Sequence, residues 1–144
     1  MSKSISSKEE LRVMLIDDFA STRKIITDQL VLLGIQGKNL TIMKDGEEAL
    51  AALRSGTPVD LILSDWVMPK MSGIELLRAV KATPELQDIP FVMLTSEGKK
   101  EQVVEAIKDG VNGYIVKPSS IGTLTAKLAK LFPDAHFGTQ SEKS

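Results

Sequence analysis

The chain has 144 residues and a formal net charge of −1, with 18 Lys and Arg against 19 Asp and Glu. This length suits one domain with its own core, and the balanced charge offers no electrostatic footprint for nucleic acid. Cysteine is absent, which excludes disulfides and thiol chemistry, and the short apolar runs exclude a membrane span and a secretory signal. We therefore expect a cytoplasmic protein.

Five short apolar runs alternate with segments of helical spacing. Most runs are apolar without a break, as expected of parallel strands covered on both faces. The runs are 12–17, 40–43, 61–64, 91–94 and 114–116. The segments between and after them predict five helices, each with an apolar stripe that covers the sheet. The stripes are Ile26, Leu30 and Leu33; Leu50 and Leu53; Ile74, Leu77 and Val80; Val103, Val104 and Ile107; and Ile121, Leu124, Leu128 and Leu131.

Several residues mark the ends of these helices. Ser21 is placed to cap the first helix, and Gly34 and Gly110 suit helix C-termini. Pro84 and Pro133 would stop the third and the fifth helix. The regular alternation of strand and helix implies right-handed crossovers and hence an α/β fold with a parallel sheet.

Polar residues follow four of the predicted strands. Asp17 and Asp18 end the first strand, and Asp65 ends the third. Thr95 follows the fourth strand and Lys117 the fifth. Because ligands of open α/β sheets bind beyond the carboxyl ends of the strands, where strand order reverses, we expect these five side chains to form one site.

Three neighbouring carboxylates need a compensating positive charge. Two unit charges about 5 Å apart repel by roughly 3 kcal/mol at an effective dielectric constant of about 20. Oxygen ligands without His or Cys suit a hard divalent cation, and a small site completed by water favours Mg²⁺ over Ca²⁺. Together, Mg²⁺ and Lys117 would neutralise the three carboxylates.

Asp65 is the candidate nucleophile of a phosphoryl transfer. A carboxylate beside a cation and an ammonium group is placed to attack phosphorus, because both positive groups offset charge on the phosphoryl oxygens. Thr95 and Lys117 can each hold one such oxygen, while a metal on Asp17 and Asp18 holds the third. No glycine-rich phosphate loop follows the first strand, which argues against a nucleotide site.

Four segments carry this pattern, namely LIDDFASTRK at 15–24, SDWVMPKMSG at 64–73, MLTSEGKKE at 93–101 and GYIVKP at 113–118. Together they resemble the response-regulator receiver domains of two-component signalling, most of all the single-domain chemotaxis type (CheY-like). The resemblance implies a flavodoxin-like three-layer α/β sandwich with a five-stranded parallel sheet in order 2-1-3-4-5 and five helices. We expect a monomeric receiver domain at 10–133, between flexible tails at 1–9 and 134–144.

The resemblance also implies a metal site and a phosphoryl donor. Asp65 would accept a phosphoryl group from the phosphohistidine of a sensor histidine kinase (CheA-like). The Mg²⁺ ligands would be Asp17, Asp18, Asp65 and the backbone carbonyl of Val67. The chemotaxis type carries Asn where this chain has Val67, beside the path of the hydrolytic water, so we expect altered and slower self-dephosphorylation.

A switch and a partner surface are implied as well. Thr95 would move toward the phosphoryl group, and Tyr114 would then turn inward. Lys117 matches the invariant lysine of the family, and its bond to Pro118 would be cis. The partner face would include Lys99, Lys100, Tyr114 and Lys127. It would bind a flagellar motor switch protein or another effector.

Two other functions stay open beside this self-phosphorylating and self-dephosphorylating switch. A phosphorelay intermediate or phosphate sink would pass the group to a second histidine protein without an effector of its own. An aspartate-nucleophile phosphatase would turn over phosphate monoesters. Such enzymes separate their two first-strand acids by one residue, whereas Asp17 and Asp18 are adjacent.

Overall fold

The computed structural model describes residues 7–96, 99–117, 120–135 and 137, which form strands and helices in regular alternation. The strands are β1 (Val13–Ile16), β2 (Leu40–Met43), β3 (Leu61–Asp65), β4 (Phe91–Thr95) and β5 (Gly113–Val116). The helices are α1 (Ala20–Leu32), α2 (Gly46–Arg54), α3 (Gly73–Ala82), α4 (Lys100–Lys108) and α5 (Ile121–Leu131). Short 3₁₀ turns lie at Lys8–Glu10, Gly37–Asn39 and Pro133–Ala135.

The sheet has the strand order β2-β1-β3-β4-β5, and every pair of neighbours is parallel. Val13 of β1 lies opposite Leu40 on one side and Leu61 on the other. The predicted fold and strand order are confirmed. Strand order reverses between β1 and β3, so the residues after these two strands meet at the carboxyl edge of the sheet.

Both faces of the sheet are covered. Val13 and Leu15 point into a cluster with Ile26 of α1 and Leu128 of α5. Met14 and its strand neighbours on the other face contact residues of α2, α3 and α4. Because successive strand residues point to opposite faces, double coverage buries the whole of β1, β3 and β4 and accounts for their continuous apolar runs.

The start of α1 differs from the prediction. Ser21 is exposed inside the helix, and Phe19 is the N-cap residue without a side-chain hydrogen bond. The Asp17 carboxylate accepts the Phe19 N–H at 2.9 Å and fixes the turn before the helix. The predicted Ser21 cap is therefore wrong, whereas Gly34 (φ 108°) and Gly110 (φ 93°) take the left-handed conformation expected after a helix.

The predicted apolar stripe of α4 is also wrong in part. Val104 is 47% exposed and Ile107 is 63% exposed, while Ala106 is fully buried. Arg78 of α3 pairs with Glu105 at 2.6 Å and with Asp109 at 2.8 Å. In this rotation of α4 the small Ala106 points inward, and the two acids lie within reach of Arg78. On α5, Ile121 in the first turn is exposed too.

Residues near both ends of the chain join the core beneath α1 and α5. Ala135 and Phe137 are each 2% exposed, and the Lys8 ammonium lies 5.7 Å from the centre of the Phe137 ring. The domain boundary that we placed at 133 therefore falls short of Phe137. Among the described residues, no helix combines the length and apolar character needed to span a bilayer.

Candidate functional site

Three carboxylates meet at the carboxyl edge of the sheet. Asp17 and Asp18 follow β1, and Asp65 ends β3 beside it. One oxygen from each of the three lies within 4.8 Å of the others. Asp17 is fully buried and Asp65 is 8% exposed, whereas Asp18 faces solvent. The predicted convergence of these acids is present in the structure.

Lys117 brings a positive charge between two of the acids. Its Nζ lies 2.9 Å from Asp17 Oδ2 and 3.3 Å from Asp65 Oδ1, and its side chain is 13% exposed. The Lys117 backbone N–H donates to the Thr95 carbonyl at 2.6 Å, which ties the end of β5 to the end of β4. Low exposure strengthens these ion pairs relative to pairs in water.

Asp17 is held at each of its polar atoms. Its N–H donates to the Met43 carbonyl at 3.2 Å, and its Oδ1 accepts from the Phe19 N–H at 2.9 Å. Oδ2 accepts from Lys117, and the Asp17 carbonyl accepts from Arg23 Nη1 at 2.7 Å. Each carboxylate oxygen can accept more than one contact, so a cation can still bind beside these partners. The sequence analysis missed Arg23.

The surroundings of Asp65 shift its pKa. Burial raises its pKa; the charge of Lys117 opposes this effect, and the charge of Asp17 adds to it. Asp65 Oδ1 accepts from the Trp66 N–H at 2.9 Å and is also the oxygen near Lys117. These two contacts leave Oδ2 as the more accessible oxygen for chemistry.

The loop between β3 and α3 supports Asp65 from behind. The Gly73 N–H donates to the Trp66 carbonyl at 2.7 Å, and a Cβ at Gly73 would overlap the Asp65 carbonyl. Only glycine permits this approach. Ser72 caps α3 and forms a capping box with Glu75, which fixes the end of the loop.

The predicted switch pair lies on adjacent strands. Thr95 is 4% exposed at the end of β4, and Met93 two residues earlier pairs with Tyr114 on β5. Among the described residues, the buried Tyr114 hydroxyl has no hydrogen bond of regular geometry. Burial raises the Tyr114 pKa, and the nearby Thr95 side chain lowers it in part. The Tyr114 ring packs edge-on against Trp66, with 6.5 Å between centres.

A cleft of about 460 Å³ opens over the acceptor region. Asp18, Asp65, Thr95 and Lys117 contribute polar groups to its wall. Val67 also lines the cleft and is 72% exposed. The carboxylates and the ammonium group on this wall fit a hydrated divalent cation together with a small dianion.

The predicted partner-face residues lie on neighbouring elements. Lys99 and Lys100 are exposed at the start of α4, and Tyr114 and Lys127 are half-buried on β5 and α5. Ile107 of α4, which the sequence analysis assigned to the core, is exposed as well. The predicted cis bond before Pro118 lies outside the described residues.

Comparison with known proteins gives consistent matches. The family model described as the response regulator receiver domain matches residues 13–129. Chemotaxis protein CheY-3 of Vibrio cholerae serotype O1 is 42% identical over 124 residues, which cover 86% of this chain and 93% of the relative. Chemotaxis protein CheY of Pseudomonas aeruginosa is 43% identical over 122 residues, covering 85% and 96%. The solved structure of Vibrio cholerae chemotaxis protein CheY4 matches with a TM-score of 0.74 and 32% identity, covering 83% of this chain and 97% of that one.

Proposed function

The chain belongs to the response regulator receiver domain family, and on this premise we propose that it is a switch controlled by phosphorylation of Asp65. The observation that carries the proposal is the position of Lys117 Nζ, 2.9 Å from Asp17 and 3.3 Å from Asp65. One ammonium group is thus held between two buried acids, where it can offset charge on an incoming phosphoryl group.

The phosphoryl donor is the phosphohistidine of a sensor histidine kinase. Asp65 Oδ2 attacks phosphorus, since Oδ1 is engaged by Trp66 and Lys117. The new O–P bond forms as the P–N bond to the donor imidazole breaks, and the imidazole nitrogen keeps the bonding electron pair. The product is an acyl phosphate on Asp65, and the donor imidazole leaves as a neutral group because its other ring nitrogen carries a proton.

The metal ligands are Asp17, Asp18, Asp65 and the backbone carbonyl of Val67. The oxygen-only donor set and the 4.8 Å separation of the acids support a small, hard cation, for which Mg²⁺ is the choice. When bound, Mg²⁺ offsets negative charge on the carboxylates and on the phosphoryl oxygens. Asp18 is the exposed member of the set and is placed to meet an incoming cation first.

Lys117 and Thr95 hold the transferred group. After transfer, the Lys117 ammonium pairs with one phosphoryl oxygen and the Thr95 hydroxyl donates to another. Thr95 must move for this contact, and Tyr114 occupies the space that Thr95 leaves. The proximity of the Thr95 side chain to the buried Tyr114 hydroxyl supports this coupling.

The output is binding of another protein. Phosphorylation favours a conformation that the partner binds more tightly, which shifts the population of the switch. The face consists of Lys99, Lys100, Tyr114 and Lys127, with Ile107 as an added apolar contact. The similarity to chemotaxis proteins supports a flagellar motor switch protein as the effector.

The test is incubation with Mg²⁺ and acetyl phosphate, followed by intact-mass measurement. The wild type should gain one phosphoryl group, and addition of EDTA should prevent the gain. Asp65→Asn should show none, while Asp28→Asn, which removes an exposed acid of α1, should behave as the wild type. An equal mass gain in Asp65→Asn would remove Asp65 as the acceptor.

The phosphorylated protein also distinguishes the proposed switch from the two rival functions. Transfer from phosphorylated protein to a second histidine protein, without phosphorylation-enhanced binding to any motor component, would favour a phosphorelay intermediate. Multiple turnovers on phosphate monoesters would favour a phosphatase. Tighter binding of a motor switch protein by the phosphorylated form would support the proposed switch.

A further inference from the structure

The buried carbonyl of Asp17 is bonded by a side chain from the next helix. Asp17 is fully buried, and its carbonyl accepts from Arg23 Nη1 at 2.7 Å. Arg23 is itself half-buried in α1. A buried carbonyl that loses its partner costs free energy, so this contact constrains the backbone at the first acid.

Arg23 also belongs to a closed set of bonds around the turn between β1 and α1. Its backbone N–H donates to the Phe19 carbonyl at 3.0 Å. The Phe19 N–H donates in turn to Asp17 Oδ1 at 2.9 Å. Asp18 lies between the residues joined by these bonds, so the direction of its carboxylate depends on the same turn.

The usual devices for starting a helix are absent from α1. The N-cap residue Phe19 offers no side-chain hydrogen bond, and the first turn contains no acidic residue. A cation near a helix N-terminus is, moreover, disfavoured by the helix dipole. Helix stability alone therefore does not account for Arg23, whereas its bond to the Asp17 carbonyl does.

We propose that Arg23 is a positioning residue for the divalent-cation site, acting through the turn that carries Asp17 and Asp18. The inference rests on the proposed function, because it takes Mg²⁺ as the ligand of these acids. Arg23 is not among the residues that line the cleft, and the proposal gives it no direct contact with the cation. It holds the two carboxylates in the orientation that the cation requires.

Two effects of removing Arg23 have opposite signs. Loss of its positive charge would strengthen cation binding, because one repulsive charge disappears. Loss of its hydrogen bond would weaken binding, because the acids lose their orientation. Removing a group that orients a metal ligand typically lowers metal affinity about 10-fold or more. The direction of the change in Mg²⁺ affinity therefore decides between a positioning role and a purely electrostatic one.

The experiment is calorimetric titration of Mg²⁺ into the metal-free full chain at an ionic strength of about 0.15 M, where exposed charges are largely screened. Arg23→Gln should bind Mg²⁺ about 10-fold more weakly than the wild type. Lys24→Gln is the matched control, since it removes the same charge one position later from an exposed residue paired with Asp28. It should leave the affinity close to that of the wild type. Equal or tighter binding by Arg23→Gln would overturn the proposal.

A second readout separates positioning from loss of stability. In phosphorylation by acetyl phosphate, Arg23→Gln should raise the Mg²⁺ concentration for half-maximal rate, with little change in the rate at saturating Mg²⁺. Arg23→Lys, which keeps the charge and one donor on a shorter side chain, should have a Mg²⁺ affinity between those of the wild type and Arg23→Gln. If Arg23→Gln does not fold, Arg23→Lys is the test variant, and an affinity equal to that of the wild type would overturn the proposal. An unchanged Mg²⁺ concentration for half-maximal rate in Arg23→Gln would contradict the positioning role of Arg23. Absence of Mg²⁺ binding by the wild type would instead overturn the proposed function.

Discussion

At the scale of single residues, burial destabilises the ionised form of Asp65, which is the form that the proposed phosphoryl transfer uses. Burial raises its pKa, so its ionised form is disfavoured in the folded protein without a cation. A group whose pKa is higher in the folded state than in the unfolded state stabilises the fold at pH values below its unfolded-state pKa. That pKa is about 3.9 for Asp. That contribution is lost as pH rises through the folded pKa, so the fold is relatively destabilised at neutral pH.

Asp65→Asn should therefore raise the midpoint of thermal unfolding at pH 7 in EDTA, because Asn cannot ionise. The gain should shrink as pH approaches 4, where the wild-type carboxyl group becomes protonated. Circular dichroism melts at both pH values measure this difference. Asp28→Asn serves as the control on the exposed face of α1. If Asp65→Asn and the wild type have the same midpoint of thermal unfolding at pH 7, the assigned upward shift of the Asp65 pKa is contradicted.

Val67 is the residue expected to set the lifetime of the phosphorylated form. Its side chain is 72% exposed on the wall of the cleft and cannot hydrogen-bond a water molecule. Val67→Asn supplies an amide that can orient water, so the acyl phosphate should be lost several times faster once the donor is removed. Phosphoprotein decay followed by intact mass tests this, with Val104→Asn on α4 as an exposed control. Equal decay of all three proteins would refute the role of Val67.

At the scale of elements, the rotation of α4 explains why its predicted apolar stripe is wrong in part. The sequence alone offers Val103, Val104 and Ile107 as a helical stripe, and apolar spacing favours turning large residues inward. In the structure α4 takes a different rotation, in which Ala106 faces the sheet and Arg78 pairs with Glu105 and Asp109. These contacts join residues far apart in sequence, so local periodicity could not predict them.

The rotation of α4 predicts a clear contrast between two apolar residues. Ile107→Ala should lower the free energy of unfolding by less than about 0.5 kcal/mol, because the side chain is already exposed. Leu77→Ala on α3 should lower it by about 2–5 kcal/mol, because the side chain is fully buried. Urea unfolding of both variants is the measurement. A loss for Ile107→Ala as large as that for Leu77→Ala would show that α4 packs as the sequence pattern suggested.

At the scale of the whole molecule, the core extends beyond the predicted domain. Phe137 is 2% exposed and packs in the cluster beneath α1 and α5. Phe137→Ala should lower the free energy of unfolding by about 3–5 kcal/mol. Phe19→Ala is the matched control, because that ring is 64% exposed and its loss should cost less than about 0.5 kcal/mol. Similar losses for the two variants would show that Phe137 contributes no core packing.

Much of the fold and the site could be predicted because each depends on short-range patterns. The continuous apolar runs identified the strands. The polar residues predicted at or after the ends of β1, β3, β4 and β5 lie together in the structure. Arg23 and Phe137 escaped prediction for another reason. Arg23 contributes a hydrogen bond to a backbone carbonyl. Phe137 contributes core packing against elements that are distant in sequence. Neither contact leaves a periodic signal in the sequence.

The most direct test of the central claim is to locate the phosphorylated residue. After incubation with Mg²⁺ and acetyl phosphate, borohydride reduces an acyl phosphate on aspartate to homoserine, which peptide mass spectrometry can identify. We predict homoserine at position 65 and unmodified aspartate at positions 17 and 18. Homoserine at position 17 or 18, or its absence from position 65, would contradict the assignment of Asp65 as the acceptor.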